Sequence, residues 1–292
     1  IRDVRPSRRI EILPYLAVGS RLESDVDRAD PFAREHETNA RVGADLKLGL
    51  GPSFTLDVTL NPDFGQVEAD PAEVNLTAFE TFFDERRPFF AEGAELLEGR
   101  GLFYSRRIGA PPPGDSDADY AERIEHTSIL GAAKLTGRTA SKLAVSALAA
   151  VTQRERIRTF DATARTFGDV IVAPLTGFAA VGAQQQFGAS GSTLSGVLTA
   201  VHRDLETGSP LANAVTRDAF SGIAEGRIRW AGGMYDASAH VGFTHVRGDS
   251  GAILELQRSS RRYWQRPDAA HVGIDPRRLT LSGTMVGINH SK

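Results

Sequence analysis

The chain has 292 residues, of which 41% are hydrophobic and 24% are charged, and its formal net charge is −3. A charge so close to zero, without a basic stripe of interleaved aromatic residues, argues against a nucleic-acid partner. Because the chain contains no cysteine, disulfides, thiolate metal sites and cysteine nucleophiles are excluded.

The distribution of apolar residues limits how the chain can meet a membrane. No apolar run comes near the roughly 18 residues that a transmembrane helix needs. The mean hydropathy is still compatible with a membrane barrel, because barrel strands alternate lipid-facing and lumen-facing side chains. The chain begins with Ile1 rather than Met and ends at Lys292 inside a predicted strand, so we expect a fragment of a longer protein.

Two neighbouring segments near the start of the chain alternate strictly between apolar and polar side chains. The even-numbered residues of 41–50 and of 54–60 are apolar, and a Gly-Pro-Ser turn at 51–53 separates the two segments. This alternation predicts a hairpin with one apolar face and one polar face.

The same alternation recurs along the chain and predicts about ten strands. They cover residues 9–19, 41–50, 54–60, 128–136, 141–152, 176–187, 193–203, 220–230, 235–246 and 279–289. Their connections alternate between short turns and long loops, which is typical of an outer-membrane barrel. The predicted fold class is therefore all-β, an antiparallel up-and-down meander that forms part of an outer-membrane-type β-barrel. A soluble β-sandwich or open barrel is the alternative, because a sheet with one wet face alternates in the same way.

An aromatic and acidic stretch at residues 61–108 interrupts the series of strands. Residues 71–83 change from a period of two to a period near four, which predicts a helix capped by Asp70 and beginning at Pro71. Pro88 should end that helix, since the residue before a proline is pushed out of the helical region. We expect this partly helical, plug-like segment to bury its phenylalanines against the sheet, within one domain of residues 1–292.

The same stretch carries a resemblance to a known family. The runs FGQVEADPAEVNLTAFETFFDERRPFFAEG and LFYSRRIG, and later ILELQRSSRRYWQRPD, resemble the bacterial domain-of-unknown-function family 5916. The resemblance implies a β-barrel-like region that usually follows a carbohydrate-binding family 9-like domain. It implies no activity that could be carried over to a residue of this chain.

Charged side chains of the 61–108 segment are the first candidate site. A glycosidase would need two carboxyls roughly 5–9 Å apart across a sugar ring. The alternative, which we favour, is that the acids cap the helix, pair with arginines and line a wet lumen, as rings of charge do in channels. The ligand or lumen candidates are Asp63, Glu68, Asp70, Glu73, Arg86, Arg87, Arg106 and Arg107.

A basic and aromatic stretch at residues 253–268 is the second candidate. One hypothesis is an extracellular loop that meets anionic lipopolysaccharide or a sugar, since arginine and aromatic side chains suit phosphates and sugar faces. The other is a helix folded against the barrel mouth and anchored by Ile253, Leu254 and Trp264. The surface candidates are Arg258, Arg261, Arg262, Tyr263 and Trp264.

Other motifs point to no catalytic residue, metal or cofactor. Residues 115–119 have the Asp spacing of a calcium loop, but Tyr120 and His126 replace its glycine and its glutamate. We predict an outer-membrane protein for transport, pore formation or surface binding, with membrane lipid, lipopolysaccharide and, from the resemblance, carbohydrate as partners. A carbohydrate-active hydrolase using carboxylates of residues 61–108 is the alternative.

Overall fold

A computed structural model of the protein describes residues 9–62, 81–260, 262–269 and 272–292. In chain order, the strands of these residues are β1 (Ile10–Leu22), β2 (His36–Leu50), β3 (Phe54–Leu60), β4 (Tyr120–Ala121), β5 (Ile129–Arg138), β6 (Leu143–Thr152), β7 (Glu155–Asp161), β8 (Thr166–Ala173), β9 (Thr176–Phe187), β10 (Ser192–Arg203), β11 (Asp218–Trp230), β12 (Tyr235–Arg247) and β13 (Thr280–Ser291). Three short α-helices accompany them: α1 (Pro88–Ala91), α2 (Pro210–Ala214) and α3 (Ser250–Arg258).

Ten of the strands form one antiparallel sheet in the order β1-β2-β3-β5-β6-β9-β10-β11-β12-β13. Each strand pairs with the next one of this sheet along the chain, so the predicted up-and-down meander is confirmed. Within the described residues β1 and β13 are the two outermost strands of the sheet and do not pair with each other. An open sheet of ten strands is therefore what the described residues establish.

The two ends of the strands differ in their connections. Short turns at residues 51–53, 139–142, 188–191 and 231–234 lie at one edge, which we call the turn edge. The long connections lie at the opposite edge, the loop edge. The strand β2 begins at His36, earlier than predicted, because its first residues pair with the end of β1 and bring His36 opposite Leu22.

A second sheet at the loop edge was not predicted. It contains β4, β7 and β8, and residues 153–175 had been interpreted as a loop. The hairpin of β7 and β8 buries Ile157 and Val172, and the Glu155 carboxylate accepts a hydrogen bond from the Ser128 backbone N–H at 2.7 Å. The loop edge is thus a folded cap rather than a set of open loops.

The main sheet has two chemically different faces. Asp57 on β3 lies opposite Lys134 on β5, and Lys134 lies opposite Leu148 on β6. We call the face that carries these three residues the segment face, because residues 81–110 pack against it, and the other the open face. Since successive side chains of a strand point to opposite faces, the pairing register assigns every strand residue to one of them.

The open face is apolar and exposed. Between the turn edge and the loop edge, this face carries no Asp, Glu, Lys or Arg. Strongly exposed apolar side chains on this face include Leu16, Val18, Leu198, Ile228, Val241 and Val286. The segment face, in contrast, carries ionic and amide side chains such as Lys47, Asp57, Gln184, Glu225 and Arg227.

The predicted helix of residues 71–83 falls almost wholly outside the described residues. Its last three residues, 81–83, have no regular secondary structure, so the expectation that the helix extends to Phe83 is wrong. Pro88 begins α1 instead of ending a helix. A proline suits the first helical position because its missing N–H would have no helical partner there.

Candidate functional site

Residues 89–100, which we call the crossing segment, run across the strands of the segment face. At one end the Lys134 ammonium on β5 donates to the carbonyl oxygen of Phe89 and, at 2.6 Å, to that of Glu92. At the other end Arg100 Nε donates to Glu225 Oε2 on β11 at 2.7 Å. The chain therefore spans β5, β6, β9, β10 and β11 in succession, fixed by a cation at both ends.

Small residues in the middle strands let the crossing segment approach closely. A Cβ added to Gly182 on β9 would overlap the carbonyl oxygen of Leu96. On the neighbouring strand the fully buried Ser146 donates to the Gly93 carbonyl at 3.5 Å. The sheet thus accepts the backbone of the segment only because these positions lack bulk.

Apolar side chains also pack the segment against the sheet. Phe90, Leu97 and Ile108 are at most 1% exposed and form one core cluster with Leu148 and Ala180 of the sheet. Burying a large apolar side chain contributes about 1.5–3 kcal/mol. The prediction that phenylalanines of this stretch pack against the sheet is confirmed for Phe89 and Phe90, whereas Phe82 is 57% exposed.

Arg87 connects several parts of the stretch and forms an ion pair with an acid of the same stretch, as the favoured interpretation expects. Its guanidinium pairs with Glu85 at 2.7 Å, donates to the carbonyls of Ser105 and Ile108, and lies 4.3 Å from the centre of the Phe90 ring. Burial by itself would raise the pKa of Glu85, but hydrogen bonds from Arg87 and Ser105 outweigh it and hold that pKa below its ordinary value. The pair ties the two ends of residues 85–108 together.

Two of the three other predicted arginines of the stretch pack against aromatic rings. Arg106 donates to the Asp84 carbonyl at 3.2 Å and lies 5.6 Å from the Phe83 ring. Arg107 lies 5.8 Å from the Tyr104 ring, and Arg86 is half-buried. The remaining candidates lie outside the described residues: Asp63, Glu68, Asp70 and Glu73.

A cavity of about 550 Å³ lies between the crossing segment and the turn-edge half of β9, β10 and β11. Its charged lining residues are Glu95, Arg100, Arg138, Glu225, Arg227 and Arg229. None of the strand arginines was singled out from the sequence, although Arg227 and Arg229 flank Ile228 in a strictly alternating strand. That alternation alone places both guanidinium groups on the polar face.

The basic stretch near residue 260 begins with the short helix α3. Its Ile253 is fully buried and Leu254 is half-buried, as the hypothesis of an anchored helix expects. The buried Gln257 holds the following loop, since its amide donates to the Asp275 carbonyl at 3.0 Å and accepts from the Asp275 N–H at 2.8 Å.

The surface candidates of this stretch are spread over different environments. Arg258 pairs with Glu255 at 3.8 Å, and Trp264 lies 4.9 Å from the Arg278 guanidinium. Arg262 and Tyr263 are exposed. Arg261 lies outside the described residues.

Two further observations concern metals and membrane helices. No group of three or more His, Asp or Glu residues in the described part of the chain is arranged to hold a metal ion. In the candidate calcium loop, Asp119 accepts a hydrogen bond from the Ala162 N–H at 2.7 Å. Among the described residues, no helix combines the length and the hydropathy that crossing a bilayer would require.

Fold and site define an all-β protein whose ten-stranded up-and-down sheet carries a segment across its polar face. The chain belongs to the family described as a domain of unknown function, DUF5916, whose model matches residues 6–220. The match includes the strands from β1 to β10 and the whole 61–108 stretch. No curated protein and no solved structure matches the chain.

Proposed function

We propose that the ten-stranded sheet forms part of the wall of a bacterial outer-membrane β-barrel, and that residues 61–108 fold into its lumen. The protein would then serve the passage of solutes or their binding at the cell surface. The observation that carries this proposal is the open face, which is mostly apolar and exposes its large apolar side chains, while every ionic side chain of the strand centres lies on the opposite face.

The height of the apolar band supports a membrane crossing. Along β11 the open face is uncharged from Phe220 to Trp230, which at about 3.3 Å per residue spans about 33 Å of strand. A tilt of about 40° reduces that length to about 25 Å, the height of the lipid-facing band of such barrels.

Aromatic rings at the turn edge support the same proposal. Trp230 and Tyr235 stack with their ring centres 5.4 Å apart on the open face where β11 turns into β12. Phe54 and Phe187 occupy the corresponding ends of β3 and β9 on that face. Trp and Tyr favour the level of the lipid headgroups, because their rings are amphipathic.

The crossing segment would affect which solutes can pass through the lumen or bind in it. Since it lies across five of the ten strands, a solute moving along the polar face of these strands would meet it, and the cavity on its turn-edge side would be a place for that solute to bind. At the loop edge, the exposed Arg262 and Tyr263 fit contact with anionic lipopolysaccharide or a sugar. A carbohydrate partner rests on the family resemblance, and the candidate carboxylates Asp63, Glu68, Asp70 and Glu73, which the hydrolase alternative would use, lie outside the described residues.

A charge placed on the open face tests the proposal. Leu198 is 59% exposed, so Leu198→Arg should leave the stability of a water-soluble sheet nearly unchanged. If lipid covers this face, the same change should lower the free energy of unfolding from lipid vesicles by about 2–4 kcal/mol. Urea titration of the reconstituted protein measures the difference.

The control is Ser195→Arg, which adds the same charge to the segment face of the same strand and should cost less than about 1 kcal/mol. Heat-modifiable mobility of the detergent-solubilised protein in gel electrophoresis is the expected companion result. Equal stability of the Leu198→Arg variant and the unmodified protein would contradict the proposal.

A further inference from the structure

We propose that the cavity beneath the crossing segment binds a small anion, a carboxylate or phosphate group carried on a sugar-sized polar molecule. The inference rests on the proposed function, because it names the class of solute that the polar side of the sheet would select. The cavity volume of about 550 Å³ is within the range of about 300–1,000 Å³ that small-molecule sites occupy.

The charges around the cavity do not cancel. Arg100 and Glu225 neutralise each other at 2.7 Å. Arg227 and Arg229 share a single carboxylate, that of Asp236, at 3.6 Å and 2.9 Å. Among the described side chains, one positive charge of this trio is left without a counter-ion.

Arg138, at the turn-edge end of β5, adds a second excess charge to the lining of the cavity. Its guanidinium donates to the neutral amide oxygen of Gln186 at 3.0 Å rather than to a carboxylate. Glu95, an exposed residue of the crossing segment that lines the cavity, contributes one negative charge that offsets part of this excess. The lining therefore keeps a net positive charge, which favours an anion.

At least one guanidinium N–H group at the cavity is available to donate a hydrogen bond to an anion. Arg227 Nε is buried and makes no hydrogen bond to any described residue, since 3.6 Å from Asp236 exceeds hydrogen-bond reach. A planar guanidinium matches carboxylate and phosphate groups with paired N–H donors. Hydroxyl and amide side chains of Thr193, Ser195 and Gln184 in the same lining suit the hydroxyl groups of a sugar.

Isothermal titration calorimetry on the detergent-purified protein tests the proposal. The probes are glucuronate, glucose 6-phosphate and, as the neutral control of the same size, glucose. At least one anion should bind, more weakly as salt is raised, and glucose should bind at least about tenfold more weakly. Comparison of the two anions tells whether the site prefers a carboxylate or a phosphate.

Variants locate the binding. Replacing Arg138 and Arg227 together by glutamine should weaken anion binding at least about tenfold, whereas Arg277→Gln, which removes one positive charge from the exposed loop before β13, should leave it unaltered. Glu95→Gln should tighten binding, by about threefold, because it removes a like charge. This opposite sign cannot arise from misfolding.

The overturning results are no binding of either anion at millimolar concentration, equal binding of glucose, or unchanged affinity in the Arg138 and Arg227 double variant. Binding is measured in detergent and does not depend on lipid. Its failure would leave the membrane proposal standing, while a neutral Leu198→Arg result would remove the membrane proposal and leave the binding data intact.

Discussion

The buried ammonium group of Lys134 donates a hydrogen bond to the carbonyl oxygen of Glu92 at 2.6 Å, and so fixes the crossing segment to the centre of the sheet. Lys134 is 1% exposed. Its charge is compensated by the Phe89 carbonyl, by the Phe89 ring at 5.0 Å and by nearby Asp57. A buried cation held mainly by backbone oxygens makes the position of the segment dependent on one side chain.

Loss of this side chain should release the segment. We expect Lys134→Met to lower the free energy of unfolding by about 3 kcal/mol or more, because two buried carbonyl oxygens lose their donor. Lys47→Met is the matched control, since Lys47 also pairs with Glu92, at 2.9 Å, but is 41% exposed. An exposed pair contributes about 1 kcal/mol or less, so equal losses in urea titration of the two variants would contradict this account.

Close approach at Gly182 gives a second prediction. An added Cβ would overlap the Leu96 carbonyl, so Gly182→Ala should displace the segment and cost about 1–3 kcal/mol. At Gly226 on the open face an added Cβ meets no atom within 4 Å. Gly226→Ala should therefore be neutral or stabilising by about 0.5 kcal/mol, and trypsin cleavage after Arg100, the last residue of the crossing segment, should increase only in the Gly182 variant.

The Glu85–Arg87 pair makes stability depend on pH. The pKa of Glu85 is held below its ordinary value of 4.5, so its contribution is complete above pH 4.5 and is lost as the pH falls through the lowered pKa. At pH 7 we expect Glu85→Gln to be less stable than the unmodified protein by about 2 kcal/mol or more.

That difference should shrink below pH 4.5, because the unmodified protein then loses the same interaction. Urea midpoints of both proteins between pH 7 and pH 3 measure it. Glu98→Gln changes an exposed carboxyl of the crossing segment and should alter stability by less than about 0.5 kcal/mol at pH 7. A Glu85→Gln deficit that stays constant down to pH 3 would count against the pair.

Gln257 gives a local prediction at the loop edge. Gln257→Leu removes both hydrogen bonds to the backbone of Asp275. Hydrogen exchange of residues 272–279 should then accelerate by about tenfold, since each lost hydrogen bond contributes about 0.5–1.5 kcal/mol. Gln265→Leu, at an exposed position of the same stretch, should leave these rates unchanged.

The strands could be predicted because their information is local. The even-numbered apolar residues of β2 and β3 define one face without knowledge of any partner, and the turn at 51–53 sets their register. The β7 strand was missed although Arg156, Ile157 and Arg158 alternate in the same way, because a short hairpin inside a long connection was interpreted as loop.

The path of the crossing segment could not be predicted, since its contacts join residues that are far apart in sequence and often involve backbone atoms. Nothing in the sequence around Lys134 specifies the Glu92 carbonyl as its acceptor. Gly182 likewise has no local signature that distinguishes it from Gly226. An ion pair of Arg87 with an acid was expected and is present with Glu85, but its contacts with the carbonyls of Ser105 and Ile108 could not be predicted, because these residues come close only after the stretch folds back.

The central claim is that lipid covers the open face and water reaches the other. Because the chain has no cysteine, Leu198→Cys and Ser195→Cys can each carry a single bimane label on opposite faces of β10. In vesicles, lipids brominated in the acyl chain should quench the label at residue 198, and aqueous iodide should quench the label at residue 195. Quenching of both labels by iodide, with no effect of the brominated lipid at residue 198, would contradict the account.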